Sequence, residues 1–146
     1  MNFLSDIIKQ SGNEYASVVS DGIEGSDING FADTGSYAFN ALLSGSLYGG
    51  IADNKITAIA GESATGKTFF TIGIVHQFLK DRPDGVVLYF DSEQAVTSEM
   101  FSDRGVDPSR VAVFPVATVE SFRHQAITVV DQYLALPKKE QKPMLI

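Results

Sequence analysis

The chain of 146 residues is long enough for one domain with a hydrophobic core. Its 44% hydrophobic and 20% charged residues are typical of a soluble globular protein, and no apolar run approaches the about 20 residues of a membrane-spanning helix. The absence of cysteine excludes disulfides and thiolate metal sites, and the net charge of −7 argues against a broad surface for nucleic acid. The N-terminus shows no secretory signal, so we expect a cytoplasmic protein without a membrane partner.

Residues 1–36 are predicted to form an N-terminal arm outside the core. A short helix ending near Gln10 would place its apolar residues on one side, namely Phe3, Leu4, Ile7 and Ile8. An acidic, glycine-rich stretch follows at residues 20–27, where turn-forming residues predominate. Two interpretations stay open, a flexible terminus or an arm that docks on a neighbouring subunit through this helix or Phe31.

From residue 37 to residue 146, short apolar runs alternate with longer periodic segments. The predicted helices are residues 38–43, Lys67 to about Leu79, a short one between the capping Thr97 and Gly105, and a longer one that Thr118 caps. The predicted strands are 56–60, 86–90, 111–114 and the start of a fourth at 144–146. This order predicts an α/β fold with a mainly parallel sheet flanked by helices. We assign residues 37–146 to one partial core.

The segment Gly61–Thr68 matches the phosphate-binding pattern G-x-x-x-x-G-K-[ST] at every fixed position. Its members are Gly61, Glu62, Ser63, Ala64, Thr65, Gly66, Lys67 and Thr68. Glycine permits the backbone angles by which loop N–H groups wrap an anion, and the helix that starts at Lys67 points its positive end at the phosphates. Lys67 can reach the β- and γ-phosphates, and the Thr68 hydroxyl can bind Mg²⁺. The loop therefore predicts a site for ATP or a close relative of ATP.

Two carboxylates follow the second predicted strand, at the edge of the sheet where a nucleotide would lie. We select Glu93 as the catalytic carboxylate, because hydrolysis needs a group that orients or deprotonates the attacking water. Asp91 is expected either to assist Mg²⁺ binding or to cap the end of the strand. His76 and His124 are each alone on a predicted helix, so we interpret them as packed or solvated rather than as metal ligands.

Four stretches of the chain resemble the RecA family, and more closely the UvsX-like recombinases of T4-like bacteriophages. They are residues 40–51 before the phosphate loop, the Walker A loop Gly61–Thr68, the segment Tyr89–Glu93, and the segment Gly105–Val111. The segment Gly105–Val111 is the most telling, because it has no general role in phosphate-binding loops. The resemblance implies a RecA-like P-loop NTPase core.

The resemblance also implies an ATPase that uses ATP and Mg²⁺, forms a filament on single-stranded DNA and drives strand exchange in recombination and repair. In that family ATP lies between adjacent subunits, Lys67 and Glu93 would be catalytic, and the arm would contribute to the subunit interface. The aromatic ring that often contacts the base in this family falls near Met100 and Phe101, so either residue is a candidate. A phage-encoded protein of this kind would act in the cytoplasm of its bacterial host.

The Walker B aspartate of the family is expected at the end of the strand that residues 144–146 begin, and the DNA-binding loops come after it. We therefore expect a chain truncated at the Walker B strand, with single-stranded DNA bound by residues outside it, or a naturally short version. Three alternatives stay open: a replicative helicase, which Gly105–Val111 argues against, a small nucleotide kinase, and a non-catalytic P-loop protein that docks on full-length recombinase. The acidic charge and the missing carboxylate favour the last of these.

Overall fold

In a computed structural model, residues 3–23 and 26–146 of the chain are described. The helices are α1 (Phe3–Ser11), α2 (Tyr37–Ser44), α3 (Lys67–Asp81), α4 (Ser98–Ser102) and α5 (Val119–Leu134). The strands are β1 (Phe31–Ala32), β2 (Ile51–Ala52), β3 (Val86–Asp91), β4 (Val111–Pro115) and β5 (Met144–Leu145). Single 3₁₀ turns cover Val19–Asp21, Pro108–Arg110 and Lys138–Glu140. Four residues of the predicted arm lie outside the described residues, namely Met1, Asn2, Glu24 and Gly25.

The chain divides into two compact units. The first unit contains Met1–Ala32 and Ser36–Ala58, and the second contains Asp33–Gly35 and Ile59–Ile146. The phosphate loop and the three strands of the parallel sheet all belong to the second unit. The predicted boundary at residue 36 between arm and core stays a prediction.

The first unit contains two predicted helices, the one in the arm that was expected to end near Gln10 and the one expected at residues 38–43. Helix α1 has no buried residue, and its apolar side, with Phe3 75% exposed, faces solvent. Helix α2 begins where the Ser36 hydroxyl accepts a hydrogen bond from the Phe39 N–H, as expected of an N-cap serine. Asn40 on α2 is fully buried, and its side-chain amide donates to the Leu47 carbonyl at 3.1 Å. This bond fixes the turn-rich segment after α2, which leads to the antiparallel pair of β1 and β2.

The second unit contains the predicted parallel sheet, with strand order β4-β3-β5. Val87 in the central strand β3 pairs with Val111 of β4 on one side and with Leu145 of β5 on the other. Central parallel strands are buried on both faces, which accounts for the near-continuous apolar run of β3. The start of a fourth strand, predicted at residues 144–146, is confirmed at Met144–Leu145, where the strand pairs with β3.

Helix α3 provides most of the core of the second unit. Its buried residues are Ile72, Ile74, Val75, Phe78 and Leu79, which recur at the spacing of one helical face. Val75 and Val87 line the same cavity, so this face of the helix lies toward β3. Burying one such side chain stabilises the fold by about 1.5–3 kcal/mol. The predicted helix from Lys67 is thus confirmed, and its interior position fixes where the phosphate loop lies.

The predicted strand at residues 56–60 is wrong. These residues form no strand, and the side chain of Ile56 is fully exposed. A strand is stable only when a neighbouring strand satisfies its backbone groups, and within the described residues no strand pairs with 56–60. β-branched composition favours extended backbone but cannot supply the partner.

Helices α4 and α5 begin at the predicted caps. The Thr97 hydroxyl accepts from the Met100 N–H, and the Thr118 hydroxyl accepts from the Ser121 N–H. Helix α4 ends at Ser102, earlier than the predicted stop at Gly105. The apolar side of α5 is not buried, since none of its residues is enclosed and Val119 is among the most exposed. None of the described helices is both long and apolar enough to cross a membrane.

Candidate nucleotide site

The loop Gly61–Gly66 leads directly into the first turn of α3. Gly66 is the N-cap of α3 with φ of 92°, a left-handed conformation that disfavours any residue with a Cβ. Ala64 also has a positive φ, of 60°, so the loop turns sharply twice before the helix. A Cβ on Gly61 would lie 2.9 Å from the Thr65 hydroxyl oxygen, which explains the glycine there. This tight turn directs the N–H groups of the first turn and the positive end of α3 toward the loop, the arrangement that binds phosphate.

Lys67 holds the loop closed. Its Nζ donates to the Gly61 carbonyl at 2.7 Å and to the Glu62 carbonyl at 2.6 Å. The Thr65 hydroxyl adds a hydrogen bond to the same Glu62 carbonyl at 2.8 Å. The ammonium group predicted to bind phosphate is therefore at the loop, with two carbonyl oxygens as its partners.

Asp91 ends β3 and is 8% exposed. One of its carboxylate oxygens accepts from the Glu93 N–H and the other from the Val96 N–H, each at 3.1 Å. The predicted capping of the strand end is thus seen in the structure. Each carboxylate oxygen keeps a second lone pair, so its Mg²⁺ role stays a prediction. Within the described ranges, no group of three or more His, Cys, Asp or Glu side chains forms a ready-made metal site.

Glu93 lies two residues beyond β3, in the loop that Asp91 holds. Its side chain is exposed, and Gln94 after it has a positive φ of 52°. The loop therefore fixes the backbone of Glu93 and presents its carboxylate to solvent at the carboxyl edge of the sheet. Thr68, the other predicted Mg²⁺ ligand, is exposed on the first turn of α3.

The two candidates for the base contact differ in their surroundings. Phe101 is 3% exposed and packs edge-to-face on Tyr89, with ring centres 5.5 Å apart. Met100 is only half-buried. Phe101 thus belongs to the hydrophobic core, and Met100 is the candidate that reaches the surface. Burial, and to a lesser extent the charge of Asp91, raise the pKa of the Tyr89 hydroxyl above its ordinary value.

Sequence reasoning missed Arg104, which follows α4. Its guanidinium carbon lies 4.5 Å from the centre of the Phe69 ring on α3, and its Nη1 donates to the Met100 carbonyl at 3.1 Å. Its Nε is buried and has no hydrogen-bond partner among the described residues. In the sequence, the only sign that Arg104 has a role was its position directly before the segment Gly105–Val111.

Sequence reasoning also gave no role to the individual residues of Gly105–Val111. Arg110 donates to three backbone carbonyls, those of Leu79, Arg82 and Gly85. Asp107 accepts hydrogen bonds from the Ser109 hydroxyl at 2.7 Å and from its N–H at 3.0 Å. These bonds, the one from the hydroxyl first, lower the pKa of Asp107. The segment therefore acts as a clamp between the end of α3 and the start of β4.

Comparison with known proteins gives the chain a family. No protein-family model matches it. A protein named "Recombination and repair protein" of Enterobacteria phage T4 is 34% identical over 107 residues, which are 73% of this chain and 26% of that protein. A protein named "Protein RecA" of Malacoplasma penetrans is 31% identical over 108 residues, which are 69% of this chain and 31% of that protein.

The chain thus spans less than a third of the length of these two relatives. The RecA family was expected from four segments, namely residues 40–51, the phosphate loop, Tyr89–Glu93 and the clamp at Gly105–Val111. The expectation is confirmed: over its matched residues, this chain is a RecA-family sequence.

Proposed function

We propose that this chain is the ATP-binding part of a DNA-dependent ATPase that forms filaments on single-stranded DNA and promotes homologous pairing and strand exchange. The main support for this proposal is the phosphate loop Gly61–Thr68. The loop turns at Gly66 into α3, and the Lys67 ammonium is hydrogen-bonded to the loop carbonyl of Gly61. The names of both relatives, one for recombination and repair and one for RecA, support a recombinase over the helicase and kinase alternatives.

The loop residues fit ATP and Mg²⁺. Backbone N–H groups of Gly61–Thr68 and the start of α3 would hold the phosphates, with Lys67 as the positively charged contact. The exposed Thr68 hydroxyl would bind Mg²⁺, with Asp91 as a second possible ligand. When bound, Mg²⁺ neutralises phosphate charge that would otherwise oppose transfer.

Glu93 would orient the attacking water. It is exposed, and its backbone is held by the buried Asp91, so the carboxylate stays in a defined loop. A general base of this kind contributes about 10²–10⁴-fold to the rate. Met100 would contact the base, since Phe101 is enclosed in the core.

The DNA and filament parts of the proposal rest on other features. The net charge of −7 makes this chain a poor DNA-binding surface, so single-stranded DNA would be bound by residues outside these 146. The exposed apolar side of α1, including Phe3, Leu4 and Ile7, would contribute to self-association.

Nucleotide binding is the first test. Isothermal titration with ATP and Mg²⁺ should show binding to the wild-type chain, and Lys67→Ala should weaken it by about tenfold to 100-fold, because a charged hydrogen bond is lost. Lys80→Ala, an exposed lysine in the last turn of the same helix, is the matched control and should bind as the wild type does. Equal ATP affinity of the Lys67 variant and the wild type would refute the assignment of Gly61–Thr68 as a phosphate-binding loop.

A second function is favoured by the acidic charge and the exposed α1. In this alternative the chain is a non-catalytic protein that docks on a full-length recombinase. Mixing it with a full-length RecA-family recombinase should then lower DNA-stimulated ATP hydrolysis in proportion to its concentration. Unchanged hydrolysis removes this alternative.

A further inference from the structure

Arg104 joins two elements that border the phosphate loop. Its guanidinium carbon lies 4.5 Å from the centre of the Phe69 ring, and its Nη1 donates to the Met100 carbonyl oxygen at 3.1 Å. Phe69 is in the first turn of α3, two positions after Lys67, whereas Met100 is in the middle of α4. One side chain therefore contacts both the start of the phosphate-binding helix and the helix that carries the candidate base contact.

Stability alone does not account for an arginine at this position. Its Nε is buried without a hydrogen-bond partner in the described part of the chain, and a buried donor without a partner is costly. A methionine of similar length would avoid that cost. A guanidinium, however, can lie over the Phe69 ring and donate to the Met100 carbonyl at the same time, which a methionine cannot do.

Helix α4 needs such external contacts. It has five residues, and a helix so short is unstable by itself. The Thr97 cap holds its first turn, and the buried Phe101 holds its inner side. Arg104 holds its last turn against Phe69 in the first turn of α3.

We infer that Arg104 is a positioning residue that holds Met100 at the distance from the phosphate loop at which it contacts the base of a bound nucleotide. The inference rests on the proposed function, since it takes ATP as the ligand of Gly61–Thr68. Arg104 itself acts through α4 and through the Phe69 ring, and it touches no reacting atom.

The test compares the binding of ATP with that of inorganic tripolyphosphate, both with Mg²⁺, by titration calorimetry. Tripolyphosphate can occupy the phosphate loop but has no base for Met100 to contact. Arg104→Met should reduce the preference for ATP over tripolyphosphate by about three- to tenfold. Its Tm should stay close to that of the wild type, because removal of the unpartnered Nε offsets the contacts that α4 loses. Arg104→Lys keeps a charge beside Phe69 and should recover part of the preference.

The matched control is Arg82→Met. Arg82 makes the same kind of contact at the other end of α3, where its guanidinium carbon lies 4.8 Å from the centre of the Phe78 ring. Its replacement should leave the preference for ATP unchanged. A loss of preference in this variant as large as that in Arg104→Met would overturn the assignment to Arg104.

The remaining outcomes separate the inference from the proposed function. An unchanged preference in Arg104→Met overturns the inference, as does a wild-type chain that binds the two ligands equally. If Arg104→Met lowers the affinities for ATP and for tripolyphosphate equally, Arg104 supports the phosphate loop, and its role at the base is overturned. A wild-type chain that binds neither ligand refutes the proposed function, and the inference falls with it.

Discussion

The guanidinium of Arg110 donates to the backbone carbonyl of Leu79, 31 residues earlier in the chain. It also donates to the carbonyls of Arg82 at 2.5 Å and Gly85 at 3.0 Å. One side chain thus pairs the last carbonyls of α3 and the turn that leads into β3, which a rigid fork of donors can do. The contact gives a physical reason for an arginine in the segment that resembles the RecA family.

Replacement of Arg110 should destabilise the chain. Arg110→Ala is expected to lower the free energy of unfolding by about 2–3 kcal/mol, because three part-buried carbonyls lose a charged donor. Arg110→Lys should recover only part of this, since an ammonium lacks the planar fork. Urea unfolding followed by circular dichroism measures the change. The control Arg123→Ala, on the exposed side of α5, should stay within about 0.5 kcal/mol. If both alanine variants lower the free energy of unfolding equally, the stabilising role given to Arg110 is wrong.

Glu93→Gln should separate binding from hydrolysis. The amide cannot accept a proton from water, so we expect unchanged ATP affinity and at least about a 100-fold loss of any ATP hydrolysis that single-stranded DNA stimulates. Phosphate release in a single turnover measures the second quantity, and calorimetry measures the first. Glu120→Gln, an exposed glutamate in the first turn of α5, is the control. Normal hydrolysis by the Glu93 variant would move the catalytic role to another carboxylate.

The lowered pKa of Asp107 predicts a loss of stability at acidic pH. Since the folded state holds the ionised form more firmly, the contribution of Asp107 is present above its ordinary pKa of 3.8 and is lost as pH falls through the lower folded value. The Tm of the wild type should therefore exceed that of Asp107→Asn at neutral pH, and the difference should begin to shrink below about pH 3.8 and vanish below the folded pKa. Thermal melts from pH 2.5 to 7 measure it. A difference that persists at the lowest pH would exclude the ionised carboxylate as its cause.

The raised pKa of Tyr89 predicts a loss of stability at alkaline pH. The folded state favours the neutral phenol, so this contribution is present below the ordinary pKa of 10.0 and is lost as pH rises through the folded value. Above pH 10, the wild type should lose stability relative to Tyr89→Phe, which cannot ionise. Urea unfolding of both proteins between pH 8 and 11.5 measures the difference. Parallel pH profiles would show that the phenol is not shielded.

Local signals in the sequence predicted the elements that carry the site. The glycines and Lys67 located the loop and the start of α3, and Thr97 and Thr118 located two helix starts, because capping and loop geometry depend on neighbours in sequence. The alternation of β3, α4 and β4 likewise predicted a parallel sheet.

Contacts between distant segments were beyond sequence reasoning. The run 56–60 has strand composition, yet pairing partners decide whether a strand forms, and none is present among the described residues. Arg104 and Arg110 reach Phe69 and Leu79 across long stretches of chain. A single sequence without its fold does not show which carbonyl or ring an arginine will meet. For the same reason, the sequence did not show that Phe101 is buried in the core and Met100 is partly exposed.

The hydrogen bonds from Lys67 to the carbonyls of Gly61 and Glu62 occupy two of the three donors of its ammonium group. One N–H therefore remains for a phosphate oxygen, and any further phosphate contact replaces a bond to a carbonyl oxygen, which returns to solvent. For each bond that is replaced, the measured affinity reports a difference between two charge-assisted hydrogen bonds and understates the strength of the phosphate contact. A loop that is cross-linked by its own lysine also keeps its shape without ligand, so the phosphates meet a site whose backbone is already folded.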